Sequence, residues 1–166
     1  MSSADPWSGL RGRGGLLVDT NLLVLFVVGS VNPGRIERFK RTSQYTRSDY
    51  QLLLRVLDRF EPLYTSAHVM AEVSNLTDLT GRERLLARCK LRDMLAILRE
   101  PWMPSARAAQ SARYESLGIT DAAIMTLARE HKFTVLTADF NLYQALSSDE
   151  IPVLNFAHLQ QLSWGV

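Results

Sequence analysis

Residues 16–28 read Leu16-Leu17-Val18-Asp19-Thr20-Asn21-Leu22-Leu23-Val24-Leu25-Phe26-Val27-Val28. Leu16, Leu17 and Val18 form a short apolar, partly β-branched run after a glycine cluster, which suits a strand buried on both faces of a parallel sheet. Asp19, Thr20 and Asn21 interrupt the run where the strand should end, and the apolar segment from Leu22 follows as a helix. Ligands of open α/β sheets gather at the carboxyl ends of the strands, which makes Asp19 the first candidate for chemistry. Asp19 or Thr20 could equally do no more than cap the helix, because both residue types are favoured there. What converges on Asp19 decides between these readings.

The chain has 166 residues, 46% of them hydrophobic, which suits one domain with a sizeable core. The expected organisation is a flexible segment over residues 1–15 and a single domain over 16–166. A net charge of +2 does not by itself announce a nucleic-acid binder, so the distribution of charge matters more. Cys89 is the only cysteine, which excludes an internal disulfide and a multi-cysteine zinc site and agrees with a reducing compartment. It reads as a small packing residue. The N-terminal stretch carries Arg11 and Arg13 without a continuous apolar core, so it does not read as a secretory signal. The apolar run after Asn21 is shorter than the ~20 residues a membrane span needs. The expectation is a soluble, cytoplasmic protein with no membrane partner.

Outward from the first strand, Pro33-Gly34 marks a turn that leads into a basic group of Arg35, Arg38, Lys40 and Arg41. Ser48-Asp49-Tyr50-Gln51 has capping-box spacing, and Leu53, Val56, Leu57 and Phe60 repeat at helical spacing, predicting a helix over 49–60. Leu63-Tyr64-Thr65 is expected as the second strand and Ser66 as the next cap. Val69, Val73 and Leu76 mark one helical face, with Glu72 at the edge of that stripe. Residues 81–115 read as helical with a break at Pro101 and Pro104. Their basic excess, Arg82 and Arg84 included, suits either an ordinary solvated face or a phosphate-backbone surface. Thr120 is expected to cap a helix with Asp121 in its first turn, where the helix dipole favours a carboxylate whatever the protein does. Residues 133–136 form a third expected strand, followed at once by Thr137-Ala138-Asp139. A short helix over 141–146, a strand over 152–154 and a closing helix over 156–162 complete the chain. This alternation argues for a parallel sheet with helical crossovers on both faces.

Asp19 and Asp139 follow strands, Asp121 opens a helix, and Glu72 lies on the inward edge of another. Two unit charges about 5 Å apart repel by roughly 3 kcal/mol at an effective dielectric near 20, so several carboxylates at one sheet end need protons or a cation. Oxygen donors without a histidine or cysteine set favour a hard ion, Mg²⁺ or Mn²⁺. Such an ion can lower the pKa of a bound water and neutralise charge on a phosphodiester.

Leu17-Val18-Asp19-Thr20-Asn21, Glu72 in the helix after a short strand and Ser66, Thr120-Asp121-Ala122 opening a helix, and Leu136-Thr137-Ala138-Asp139 together resemble the PIN-domain nucleases. The closing Ile151-Pro152-Val153-Leu154-Asn155-Phe156 looks like the end of that domain. The resemblance runs from Leu16 onward and implies a PIN-like, Rossmann-like parallel sheet of about four to five strands flanked by helices on both faces. It further implies an acidic metal site of Asp19, Glu72, Asp121 and Asp139, supported by Asn21 and Thr137. Many relatives are Mg²⁺- or Mn²⁺-dependent endoribonucleases, often toxins of toxin-antitoxin pairs and commonly dimeric, which implies an RNA substrate, an antitoxin and a homodimer as partners. The stretch between Gly29 and Asp49 is longer and more basic than in compact relatives. Arg35, Arg38, Arg82 and Arg84 are the candidate nucleic-acid contacts. Two other readings compete. One is a catalytically silent RNA- or protein-binding module. The other is a phosphatase with Asp19 as nucleophile, disfavoured because Asn21 stands where its second acid would be.

Overall fold

The computed structural model of the chain describes residues 14–164, and most of the segment over 1–15 lies outside that range. Gly15 enters the sheet with φ +93°, where a Cβ would meet the Pro62 carbonyl oxygen at 2.5 Å and the Tyr64 ring at the same distance. Only glycine fits this entry. β1 (Leu16–Val18) is fully buried and runs between β2 (Leu63–Tyr64) and β3 (Thr134–Thr137), with β4 (Val153–Asn155) outside β3. All the pairings are parallel: Leu17 stands opposite Tyr64 and Val135, and Thr137 opposite Asn155. The carboxyl ends of β1, β3 and β4 therefore share one edge.

α1 (Thr20–Val31) buries Leu22, Leu23, Val24, Leu25, Val27 and Val28, which explains why its sequence is apolar all round and not on one stripe. Gly29 lets it pack against α2 (Arg47–Leu57), since a Cβ there would lie 2.5 Å from the Tyr50 ring. α3 (Ala67–Leu76) is capped by Ser66, whose hydroxyl accepts the Val69 N–H at 3.2 Å, as the sequence predicts. α4 (Gly81–Ile97), α5 (Ser105–Ala108), α6 (Tyr114–Leu117) and α7 (Ile119–His131) lead back to β3. α8 (Phe140–Ser148) and α9 (Phe156–Trp164) flank β4. No described helix is long and apolar enough to cross a membrane.

Four local expectations give way. Thr46, and not Ser48, caps α2: its hydroxyl accepts the Asp49 N–H at 3.2 Å while Asp49 Oδ2 accepts the Thr46 N–H at 2.7 Å. An aspartate at the third helical position closes the box as a glutamate would. The helical reading of 81–115 stops at Ile97, because Arg99 pairs in parallel with Tyr64, donating its N–H to Leu63 and accepting that of Thr65. The β2 edge of the sheet is thereby covered. Gly118, with φ +86°, and not Thr120, precedes α7, although Asp121 keeps its place in the first turn. Cys89 is exposed on α4 and packs no core.

Candidate active site

Asp19 ends β1, and its extended backbone makes it the N-cap of α1. Its Oδ1 accepts the Thr20 N–H at 2.6 Å and its Oδ2 accepts the Thr137 hydroxyl at 2.7 Å. The residue is only 4% exposed. Burial pushes its pKa up, the two hydrogen bonds pull it back, and the charges of Asp139 and Glu72 raise it further, to about 6. Capping and chemistry thus coexist in one residue.

The other acids are tied to Asp19 through two threonines. Thr137 Oγ1 donates to Asp19 and accepts the Asp139 N–H at 2.9 Å; Asp139 Oδ1 in turn caps α8 by accepting the Leu142 N–H at 2.8 Å. On the other flank, the Thr20 hydroxyl donates to Glu72 Oε2 at 2.8 Å. Glu72 is more exposed than its place beside the apolar stripe suggests, and its Oε1 has no protein partner among the described residues. Asp121 is half-buried, and burial followed by the charges of Asp19, Asp139 and Glu72 raises its pKa to about 7. All four acids therefore feel one another at the carboxyl edge of the sheet.

Thr20 is the site residue that the sequence reading misses. With Asp19 already capping α1, the Thr20 hydroxyl has no capping duty left, and a buried threonine at that position needs another partner. Asn21 is half-buried and, among the described residues, makes no side-chain hydrogen bond to the acids. Of the candidate arginines, Arg35 Nε pairs with Glu83 at 2.7 Å and Arg84 Nε bonds the Leu79 carbonyl at 2.9 Å. Arg38 and Arg82 are exposed. The Asn32 amide and then Arg35 hold the Glu83 carboxyl below its usual range. With Lys40 paired to Asp78 at 3.5 Å, these contacts clasp the 29–49 segment onto the α3–α4 junction and gather its positive charge beside that of α4.

No three Asp, Glu, His or Cys side chains among the described residues form a closed ligand cage, as expected of acids that repel each other with nothing between them. Nor does any described Lys, Arg or His pair with the four. An all-oxygen donor set, one member deeply buried and none neutralised by a basic side chain, fits a hard divalent cation. An apolar groove of about 510 Å³ between α1, α2 and α4, lined by Leu23, Phe26, Leu57, Met94 and Leu98 among others, contains none of the four acids.

The sequence matches the PIN domain family over residues 16–145. The chain belongs to the PIN domain family. Two solved structures share the PIN fold with it. One is FitAcB from Neisseria gonorrhoeae, 20% identical, with a TM-score of 0.56 over 86% of this chain and 99% of that one. The other is FitAB bound to an IR36 DNA fragment, 19% identical, with a TM-score of 0.53 over 85% of this chain and 94% of that one. No curated protein sequence matches the chain.

Proposed function

We propose that this PIN domain is a metal-dependent endoribonuclease that hydrolyses phosphodiester bonds in single-stranded RNA and acts as the toxin of a toxin-antitoxin pair. The observation that carries the reading is the buried Asp19 carboxylate, tied by Thr137 and Thr20 to Asp139 and Glu72 and lacking any basic partner. Asp19, Asp121 and Asp139 would hold Mg²⁺ or Mn²⁺. The chemistry such an ion supplies when bound is neutralisation of phosphodiester charge and acidification of a water. Thr137 fixes Asp19 and the Asp139 main chain in one relative position. Glu72, held by Thr20 at Oε2, keeps Oε1 available to take a proton from the attacking water. The FitAB and FitAcB likeness and the habit of the family support an antitoxin partner and a homodimer. The apolar groove between α1, α2 and α4 offers a partner segment surface to bury.

Cleavage of an unstructured RNA by the purified protein with Mn²⁺ or Mg²⁺, lost on chelation, tests the reading. RNA binding without cleavage under either ion would instead favour the catalytically silent module. In the same assay, the double variant Arg38→Ala/Arg82→Ala is expected to raise KM with kcat unchanged and to lower the salt slope of binding by about 2, because exposed arginines act on phosphates. An unchanged KM and slope would place the RNA elsewhere.

A further inference from the structure

The 29–49 segment delivers one residue to the acidic edge that the proposed chemistry leaves unused. Tyr45 is 4% exposed, and its ring packs edge-on against Phe156 with centroids 6.2 Å apart. Phe156 directly follows β4, whose Asn155 stands opposite Thr137, so Tyr45 lies at the carboxyl edge of the sheet. Its backbone is pinned there: the Tyr45 N–H donates to the Thr42 carbonyl at 2.8 Å, and the buried Thr42 hydroxyl donates to the Ile36 carbonyl at 2.7 Å.

The Tyr45 hydroxyl is sealed from solvent and has no partner in hydrogen-bonding geometry. A buried hydroxyl left unpaired costs about 1–3 kcal/mol, so an ordered partner is expected. Asp49 is a poor one, since it already accepts the Thr46 N–H, the Thr46 hydroxyl and the Gln160 amide. Burial raises the Tyr45 pKa, the neighbouring Gln44 draws it back, and the charges of Asp19 and then Asp49 raise it again. Asp19 thus acts on this hydroxyl more strongly than Asp49, which is only four residues away. Each Asp19 oxygen accepts one hydrogen bond and keeps a lone pair, enough for one further donor and one cation.

We propose that Tyr45 is a positioning residue of the acidic centre, its hydroxyl joined to the Asp19 carboxylate through one buried ordered water. The bridge gives the carboxylate a third fixed donor besides Thr20 and Thr137. Its effect on the cation rests on the reading that Asp19 is a ligand; the bridge itself does not. A water so held has polar partners on both sides, as a buried water requires.

Tyr45→Phe keeps the ring on Phe156 and removes only the hydroxyl. Two readouts are taken: the ¹³C signal of the Asp19 carboxyl in the metal-free protein, and Mn²⁺ affinity by titration calorimetry. The expected result is a displaced Asp19 signal and Mn²⁺ binding weakened about tenfold, the loss typical of a group that orients a ligand, with a metal-free Tm no lower than wild type. An unmoved Asp19 signal overturns the bridge whatever Mn²⁺ does. A displaced signal with wild-type Mn²⁺ affinity overturns the positioning role, and a Tm well below wild type assigns the hydroxyl to the fold instead. Wild-type protein that takes up no Mn²⁺ overturns the proposed metal chemistry and leaves the bridge to be decided by the carboxyl signal.

Discussion

Asp19→Asn is expected to slow RNA cleavage by at least ~10³-fold while leaving the metal-free protein folded, with a Tm at pH 8 equal to or above that of wild type. The loss follows from removing the most buried carboxylate of the centre: transition-state charge stabilisation by a bound cation is worth several kcal/mol, and each ~1.4 kcal/mol is tenfold in rate. The retention of fold follows from the hydrogen bonds. The substituted side chain would keep an oxygen for the Thr20 N–H, and its amide could donate to Thr137 Oγ1, which has lone pairs for this donor and for the Asp139 N–H. A buried charge without a basic partner also disappears. Gel-based cleavage of an unstructured RNA beside thermal melting checks both halves. Full activity in a clean preparation would remove Asp19 from the chemistry.

The second large effect concerns metal-free stability against pH. Asp19 and Asp121 have folded pKa values raised from 3.8 to about 6 and about 7. Between pH ~4 and ~7 the folded protein therefore binds more protons than the unfolded chain, so stability falls as pH rises through that window. The groups with lowered values, Asp149 beside Arg113 and Glu83 beside Asn32 and Arg35, contribute the opposite slope, but at lower pH. A fall in Tm of about 5–10 °C from pH 5 to pH 8 is expected for a chain of this size if the pair costs a few kcal/mol. Saturating Mn²⁺ should restore the loss at pH 8, since only deprotonated carboxylates bind it. Asp19→Asn should flatten the slope. Melting curves that rise with pH without metal, or that ignore Mn²⁺ at pH 8, would contradict the account.

The fold was legible because its signals are local. Leu16–Val18 and Thr134–Thr137 are short apolar runs broken by aspartates, and the helices between the strands carry periodic apolar positions. The misses are places where a distant partner decides. Nothing near Arg99 in sequence announces that Tyr64 will pair with it, and Ser48 and Thr46 differ as caps only through where Asp49 falls. The four acids stand out as residue types after strands or at helix starts. The residues that organise them do not: Thr20 reaches Glu72 across 52 positions, Thr137 reaches Asp19 across 118, and Tyr45 arrives on a segment that reads only as basic loop.

The central claim is that Asp19, Asp121 and Asp139, with Glu72 beside them, share one hard cation. Anomalous diffraction from crystals soaked in Mn²⁺ at pH 8 tests it most directly. The account predicts a manganese peak at coordination distance, about 2.0–2.5 Å, from Asp19 and at least one of Asp121 and Asp139. Manganese bound only elsewhere, or none ordered among these carboxylates at millimolar Mn²⁺, would contradict it.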